Sequence, residues 1–230
     1  MSTTDSSFRP FSDTSVDPPV RGFLTHPEGP AQNGLVLTHG AGGNSRGRLL
    51  AALGTAFAAD GFAVLRCDLP FRQNRPYGPP RPGDAARDRE GLKNALRALR
   101  QLGTARIFLG GQSYGGRQAT MLGADEPGVT EGLLLLSYPL HPPGRSERPR
   151  TEHLPRLTIP ALFVQGTRDP FASIEEMEAA LKLIPGKTFL LTVEGVGHDL
   201  GFKGKQRVNE LPAAIRQNLL KFFGLLPVAA

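Results

Sequence analysis

Cysteine is nearly missing from this chain: Cys67 is the only one in 230 residues. One thiol excludes an intrachain disulfide and a cysteine-based metal centre. Near the end of an apolar stretch, it reads as a packed core residue rather than a nucleophile. Tryptophan is absent and there are three tyrosines, so the chain has few aromatic platforms on which bases could stack. The formal charge of +6 comes from scattered arginines rather than one basic stripe, and nucleic acid is not an expected partner. No apolar run approaches the roughly 20 residues that span a bilayer. The N-terminal residues lack the charged, apolar and small-residue regions of a secretory leader. The expected compartment is therefore the cytoplasm, with no membrane association. His26, His141 and His153 follow no metal-ligand spacing and read as solvent or loop residues. No metal and no cofactor is expected.

A composition of 39% hydrophobic and 21% charged residues is that of an ordinary globular chain, long enough for one α/β domain with a sizeable core. Residues 1–20, rich in Ser, Thr, Asp and Pro, show no period and read as a flexible N-terminal arm or an edge extension; residues 21–230 read as a single domain. Short apolar runs at 20–25, 34–38, 62–66, 107–109, 132–136, 161–165 and 188–193 predict strands. Helical patterns are predicted at about 48–59, 84–102, 117–122, 174–183 and 208–223. Continuous apolar strands alternating with helices predict a mostly parallel, doubly wound sheet covered on both faces.

The most informative stretch is Gly110-Gly-Gln-Ser113-Tyr-Gly-Gly-Arg117. It follows a strand and opens a helix, the setting a G-x-S-x-G nucleophile elbow needs. Ser113 at a tight apex would project its hydroxyl above the sheet, and Gly111 and Gly115 remove side chains that would collide in the turn. Three further features fall at the carboxyl ends of predicted strands, where open parallel sheets place their sites: His39-Gly-Ala-Gly-Gly, Asp169 and His198. His198, in a glycine-flanked loop, is the candidate base for Ser113. Asp169 is the candidate for orienting the imidazole, or else the cap of a helix starting near Ser173. Glu194 is a second choice, and Asp199 is too close in sequence to His198 to reach the correct ring nitrogen. The backbone N–H of Tyr114, with one from Gly40, Ala41 or Gly42, is the candidate oxyanion hole. His39 reads as a structural hydrogen-bonding residue.

Together with Thr38-His-Gly-Ala-Gly-Gly-Asn44, Asp68-Leu-Pro-Phe-Arg72, Gln165-Gly-Thr-Arg-Asp169 and Gly195-Val-Gly-His-Asp199, this set resembles the small α/β-hydrolases of the dienelactone-hydrolase-like group. Within it, the chain is most similar to the branch containing a testis-expressed protein and a subunit of the NSL histone-acetyltransferase complex. The resemblance covers about residues 34–223. It implies an α/β-hydrolase fold and a Ser113–His198–Asp169 triad. Dienelactone hydrolases carry a cysteine where Ser113 stands, so lactone chemistry does not follow directly. The branch also includes scaffold components, which leaves open a second reading as a protein-interaction module.

The leading expectation is a serine hydrolase of a small acyl ester, thioester or lactone. Prolines crowd residues 137–159, which disfavours a large helical lid and long lipid chains. The Pro- and Arg-rich connection 68–83 is expected to leave the strand next to the elbow strand and overhang the site. Arg72, Arg75 and Arg117 would then form a cationic rim for an anionic substrate, unless these arginines are solvated or pair with Asp68, Asp84 and Asp88.

Overall fold

The computed structural model describes residues 8–202 and 210–226. Its strands are β1 (Arg9–Asp13), β2 (Val20–Thr25), β3 (Asn33–Thr38), β4 (Phe62–Cys67), β5 (Arg106–Gln112), β6 (Gly132–Leu136), β7 (Ala161–Gly166) and β8 (Thr188–Val193). The helices are α1 (Arg48–Ala58), α2 (Pro70–Asn74), α3 (Asp84–Gln101), α4 (Tyr114–Asp125), α5 (Ile174–Leu181) and α6 (Glu210–Phe222). One sheet runs in the order β1-β2-β4-β3-β5-β6-β7-β8. β1/β2 and β2/β4 pair antiparallel, and every other pair is parallel.

The central strands are apolar on both sides because both sides are covered. Leu35, Leu37, Phe62, Phe108 and Leu134 face α1 and α6 in one core; Val36, Leu65, Leu109, Leu133 and Leu135 face α3, α4 and α5 in the other. α3 shows how burial outweighs local signals. It starts on Gly83 with no side-chain cap, forgoing only a few tenths of a kcal/mol, roughly, because glycine is itself tolerated at that position. Leu92, Leu96 and Leu99 lie on one helical face and are fully buried. Each contributes about 1.5–3 kcal/mol, several times the missing cap.

One open reading is decided and two expectations change. Residues 9–13, read as part of a flexible arm or an edge extension, form an edge strand paired with β2; the part of that segment before residue 8 lies outside the described residues. The connection 68–83 contains α2, which starts on Pro70, where a missing N–H costs nothing. β4 is not beside the elbow strand: β3 lies between them, an order that apolar periodicity cannot reveal. The predicted start of the last helix, at residue 208, lies outside the described residues. No helix among the described residues is long and apolar enough to cross a membrane.

The register of the parallel strands sets the position of the site. Thr38 lies beside Gly111, Gln112 beside Leu136, Leu136 beside Val164, and Gly166 beside Val193. The segments that leave β3, β5, β6, β7 and β8 therefore start along one edge of the sheet.

Candidate active site

Ser113 joins β5 to α4 with φ 51° and ψ −116°. A non-glycine residue at positive φ is held against a cost of about 1–3 kcal/mol. The surroundings impose it: Ser113 N–H donates to Leu136 O at 2.8 Å, and Arg117 N–H donates to Ser113 O at 3.0 Å. Gly111 shows how tight the turn is. A Cβ there would stand 2.4 Å from the backbone of Gly115 and Gly116, so any side chain would force the helix off the strand.

His198 lies beyond β8, and its ring is fixed on three sides. Nδ1 lies 2.8 Å from Asp169 Oδ2 and 3.0 Å from Oδ1, while Nε2 lies 2.8 Å from Ser113 Oγ. Phe171 stacks on the imidazole at 4.1 Å between ring centroids. An ionised carboxylate only accepts, so Nδ1 carries the proton and Nε2 presents its lone pair to the Ser113 hydroxyl. The Asp169 side chain is fully buried, and its Oδ1 also accepts the Phe171 N–H at 2.9 Å. Its alternative role as a helix cap falls to Ser173, which forms a capping box with Glu176. Glu194 lies on the exposed side and takes the Thr167 hydroxyl. The His198 loop reaches the strand end because Gly166 has no side chain: a Cβ there would stand 2.4 Å from Val196 O.

On the other side of Ser113 lies the loop after β3. A Cβ on Gly40 would stand 3.2 Å from Ser113 Cβ, so the loop backbone lies directly against the serine. His39 is buried, with Nδ1 donating to Gly40 O at 2.8 Å and Nε2 accepting the Leu69 N–H at 3.2 Å. Burial holds its pKa below the usual imidazole value, and the neutral ring satisfies both bonds. Gly43 N–H also donates to Gly40 O, at 3.0 Å. With that carbonyl held on one side, the Ala41 N–H of the same trans peptide points the opposite way. Tyr114 N–H, at the first turn of α4, has no acceptor within its own helix.

The arginines of the expected rim lie in three different settings. Arg72, expected at the substrate, is buried instead. It donates to Ala41 O at 2.7 Å, Gly78 O at 2.9 Å and Arg75 O at 3.2 Å. Its charge braces the loop after β3 from behind. Arg75 is paired with Asp84. Arg117, half-buried on the first turns of α4, makes no such contact.

Several residues near the site have roles that the sequence did not show. Asp88 is fully buried, yet it pairs with no arginine; it accepts from Phe71 N–H at 3.0 Å and from Tyr114 OH at 2.8 Å. It thereby ties α2, α3 and α4 together. Burial raises its pKa above the usual carboxylate range and, with Asp88 as partner, also raises that of Tyr114. Its i+4 spacing to Leu92 suggests only a core-facing helix residue, and no local pattern points to the Tyr114 hydroxyl as its partner. Cys67 is buried, and burial pushes its thiol up to about 12.

Two histidines assigned to solvent or loop are buried as well. His141 meets Glu176 at 3.0 Å. His153 Nε2 lies 2.8 Å from Thr120 Oγ1 and 3.2 Å from Tyr138 OH, fastening the connection after β6 onto α4. Burial first, then the nearby Arg117 charge, lowers its pKa from 6.5 to about 4. Between these values the unfolded chain takes up a proton that the folded chain refuses, so stability falls as pH drops from 6.5 toward 4. The contribution at stake is about 3 kcal/mol at 1.36 kcal/mol per unit. Urea unfolding at pH 7 and pH 4.5 is expected to show a smaller acid loss, by about 2 kcal/mol, in His153→Gln than in wild type. An equal loss in both would remove this histidine from the acid response.

Among the described residues, no group of three or more His, Cys, Asp or Glu side chains is placed to hold a metal ion. The β6–β7 connection, which carries the lid in many lipases, holds one short 3-10 turn at Leu154–Arg156.

A sequence-family model described as an alpha/beta hydrolase domain matches residues 31–219. Among solved structures, the fold is similar to an alpha-beta serine hydrolase homologue from Coxiella burnetii. The two share 20% identity and a TM-score of 0.73 over 95% of this chain and 99% of that one. A dienelactone hydrolase from Anabaena variabilis is 18% identical, with a TM-score of 0.73 over 94% of this chain and 97% of the other. XC6422 from Xanthomonas campestris, described as a serine hydrolase without lid, is 16% identical, with a TM-score of 0.70 over 100% and 99%.

Proposed function

The chain belongs to the alpha/beta hydrolase family, and from that premise we propose that it is a serine hydrolase of small carboxylic esters, thioesters or lactones. The observation that carries this reading is the unbroken hydrogen-bonded line from Ser113 Oγ through the His198 ring to Asp169, with 2.8 Å at each junction. Within the family, we place the chain in the dienelactone-hydrolase-like group, on the branch of the testis-expressed protein and the NSL-complex subunit, on the motifs quoted above.

In this mechanism Ser113 Oγ attacks the substrate carbonyl carbon while its proton passes to His198 Nε2. The carbonyl π pair moves onto oxygen, and Asp169 stabilises the imidazolium through Nδ1–H. The N–H groups of Tyr114 and Ala41 donate to the oxyanion, a contribution of about 3–4 kcal/mol for each well-placed donor. Collapse of the intermediate expels the alcohol or thiol, which takes the proton from Nε2. Water, activated by the same nitrogen, then cleaves the acyl-enzyme and restores Ser113.

A fluorophosphonate probe distinguishes an activated serine from an ordinary one. Peptide mapping is expected to find the label on Ser113, together with turnover of p-nitrophenyl butyrate. An intact, folded protein left unmodified at Ser113 would overturn the reading.

A further inference from the structure

We propose that Arg117 and Arg150 form an anion-binding subsite beside Ser113, which selects substrates carrying a carboxylate or phosphate group near the scissile carbonyl. As a statement about substrate, this rests on the hydrolase reading; as a statement about binding, it does not.

The argument begins with how other half-buried and buried arginines are used. Arg66 donates to Ser45 O, Arg72 to three carbonyls, Arg75 to Asp84 and Arg89 to Gln118. Arg117 and Arg150 are also partly withdrawn from water, yet neither guanidinium has a carboxylate or carbonyl partner among the described residues. The Nε of Arg117 is buried without an acceptor, as are those of Arg66 and Arg72, but those two arginines bond through their other nitrogens. The two charges oppose each other: burial first, then Arg117, lowers the pKa of Arg150. The exposed Glu152 acts on Arg150 from a distance and forms no ion pair with it. Two like charges that oppose each other from partly buried positions are stabilised by a shared anion. Guanidinium groups meet carboxylate and phosphate oxygens through paired N–H donors.

Position decides what that anion belongs to. Arg117 is one turn along α4 from Ser113, and its N–H donates to Ser113 O. Long helical side chains lean toward the helix N-terminus, which for Arg117 is the turn that carries Ser113 and Tyr114, and its charge acts on the Tyr114 hydroxyl. Arg150 is held by its own N–H on Leu140 O at 2.7 Å, four residues beyond the carbonyl of Leu136 that receives Ser113 N–H. Arg117 thus belongs to the helix that leaves the serine, and Arg150 to the connection that leaves β6 beside it. The loop of Gly40 occupies the β3 side, and His198 arrives from β8.

The test compares kcat/KM for mono-p-nitrophenyl glutarate with that for the neutral p-nitrophenyl valerate of matching chain length. A third arm uses the p-nitrophenyl ester of 4-phosphonobutyrate, which separates phosphate preference from carboxylate preference. The anionic-to-neutral ratio is expected to fall at least tenfold in Arg117→Gln and in Arg150→Gln. Arg150→Lys should recover part of it. Arg148→Gln, on the same connection but exposed and beside Glu147, should leave the ratio unchanged. A ratio constant within twofold in wild type, Arg117→Gln and Arg150→Gln would overturn the subsite while the hydrolase stands. If wild type hydrolyses none of the esters and Ser113 resists the fluorophosphonate, the hydrolase reading fails instead. Calorimetry with glutarate and with inorganic phosphate then decides the subsite. Binding weakened tenfold in Arg150→Gln supports it, and no binding to wild type overturns it.

Discussion

Ser113→Ala is expected to lower kcat/KM for p-nitrophenyl butyrate by about 10⁴–10⁶-fold, and His198→Ala by a similar factor. The reason is geometric. The alanine has no oxygen 2.8 Å from Nε2, and without the imidazole the serine keeps its proton and remains a weak nucleophile. Because the two side chains act as one unit, Ser113→Ala/His198→Ala should be hardly worse than either single variant. Steady-state kinetics on all three, with circular dichroism to confirm folding, checks this. A double variant whose loss is the product of the single losses would mean that the two residues work separately. Activity retained in Ser113→Ala would move the nucleophile elsewhere.

The second large effect is expected from Asp169→Asn, which should cut kcat by about 10³–10⁴-fold with a much smaller change in KM. The side chain is buried and bonds to both His198 Nδ1 and the Phe171 N–H. An asparagine oxygen can keep the Phe171 bond, which leaves the amide NH₂ facing Nδ1. The imidazole then favours the tautomer with its proton on Nε2, and that proton confronts the Ser113 hydroxyl instead of a lone pair. Ground-state binding involves neither atom, so KM should move little. Fluorophosphonate labelling should slow in parallel with kcat. A variant that keeps full kcat would assign the orientation of His198 to its stacking on Phe171 and its loop.

The strand–turn–helix around Ser113 was legible because its determinants are local: an apolar run, crowded glycines and a helix-forming stretch, all within a few residues. The alternating apolar runs likewise pointed to the parallel sheet, and strand ends pointed to where Asp169 and His198 should lie. What sequence could not convey was direction and neighbourhood. Arg72 looks like any loop arginine until the fold turns it inward onto the Ala41 carbonyl. His153 sits in a proline-rich connection of surface composition, yet Thr120 and Tyr138 draw it under cover. The placement of β3 between β4 and β5 depends on which helix crosses which face, and the apolar pattern of each strand is the same in either order. Residues 9–13 are polar enough to read as an arm because an edge strand has only one buried neighbour. Arg150 carried no signal at all, since an unpaired cation becomes visible only when the possible partners around it have been placed.

The withdrawn sulfur of Cys67 has a practical consequence for the chemist. Packed inside β4 and held protonated, the sole native thiol should stay silent toward maleimides and iodoacetamides while the protein is folded. A cysteine introduced at an exposed position such as Arg148 would then be the one reactive handle on the molecule. A dye or spin label could be attached there without first removing any native residue.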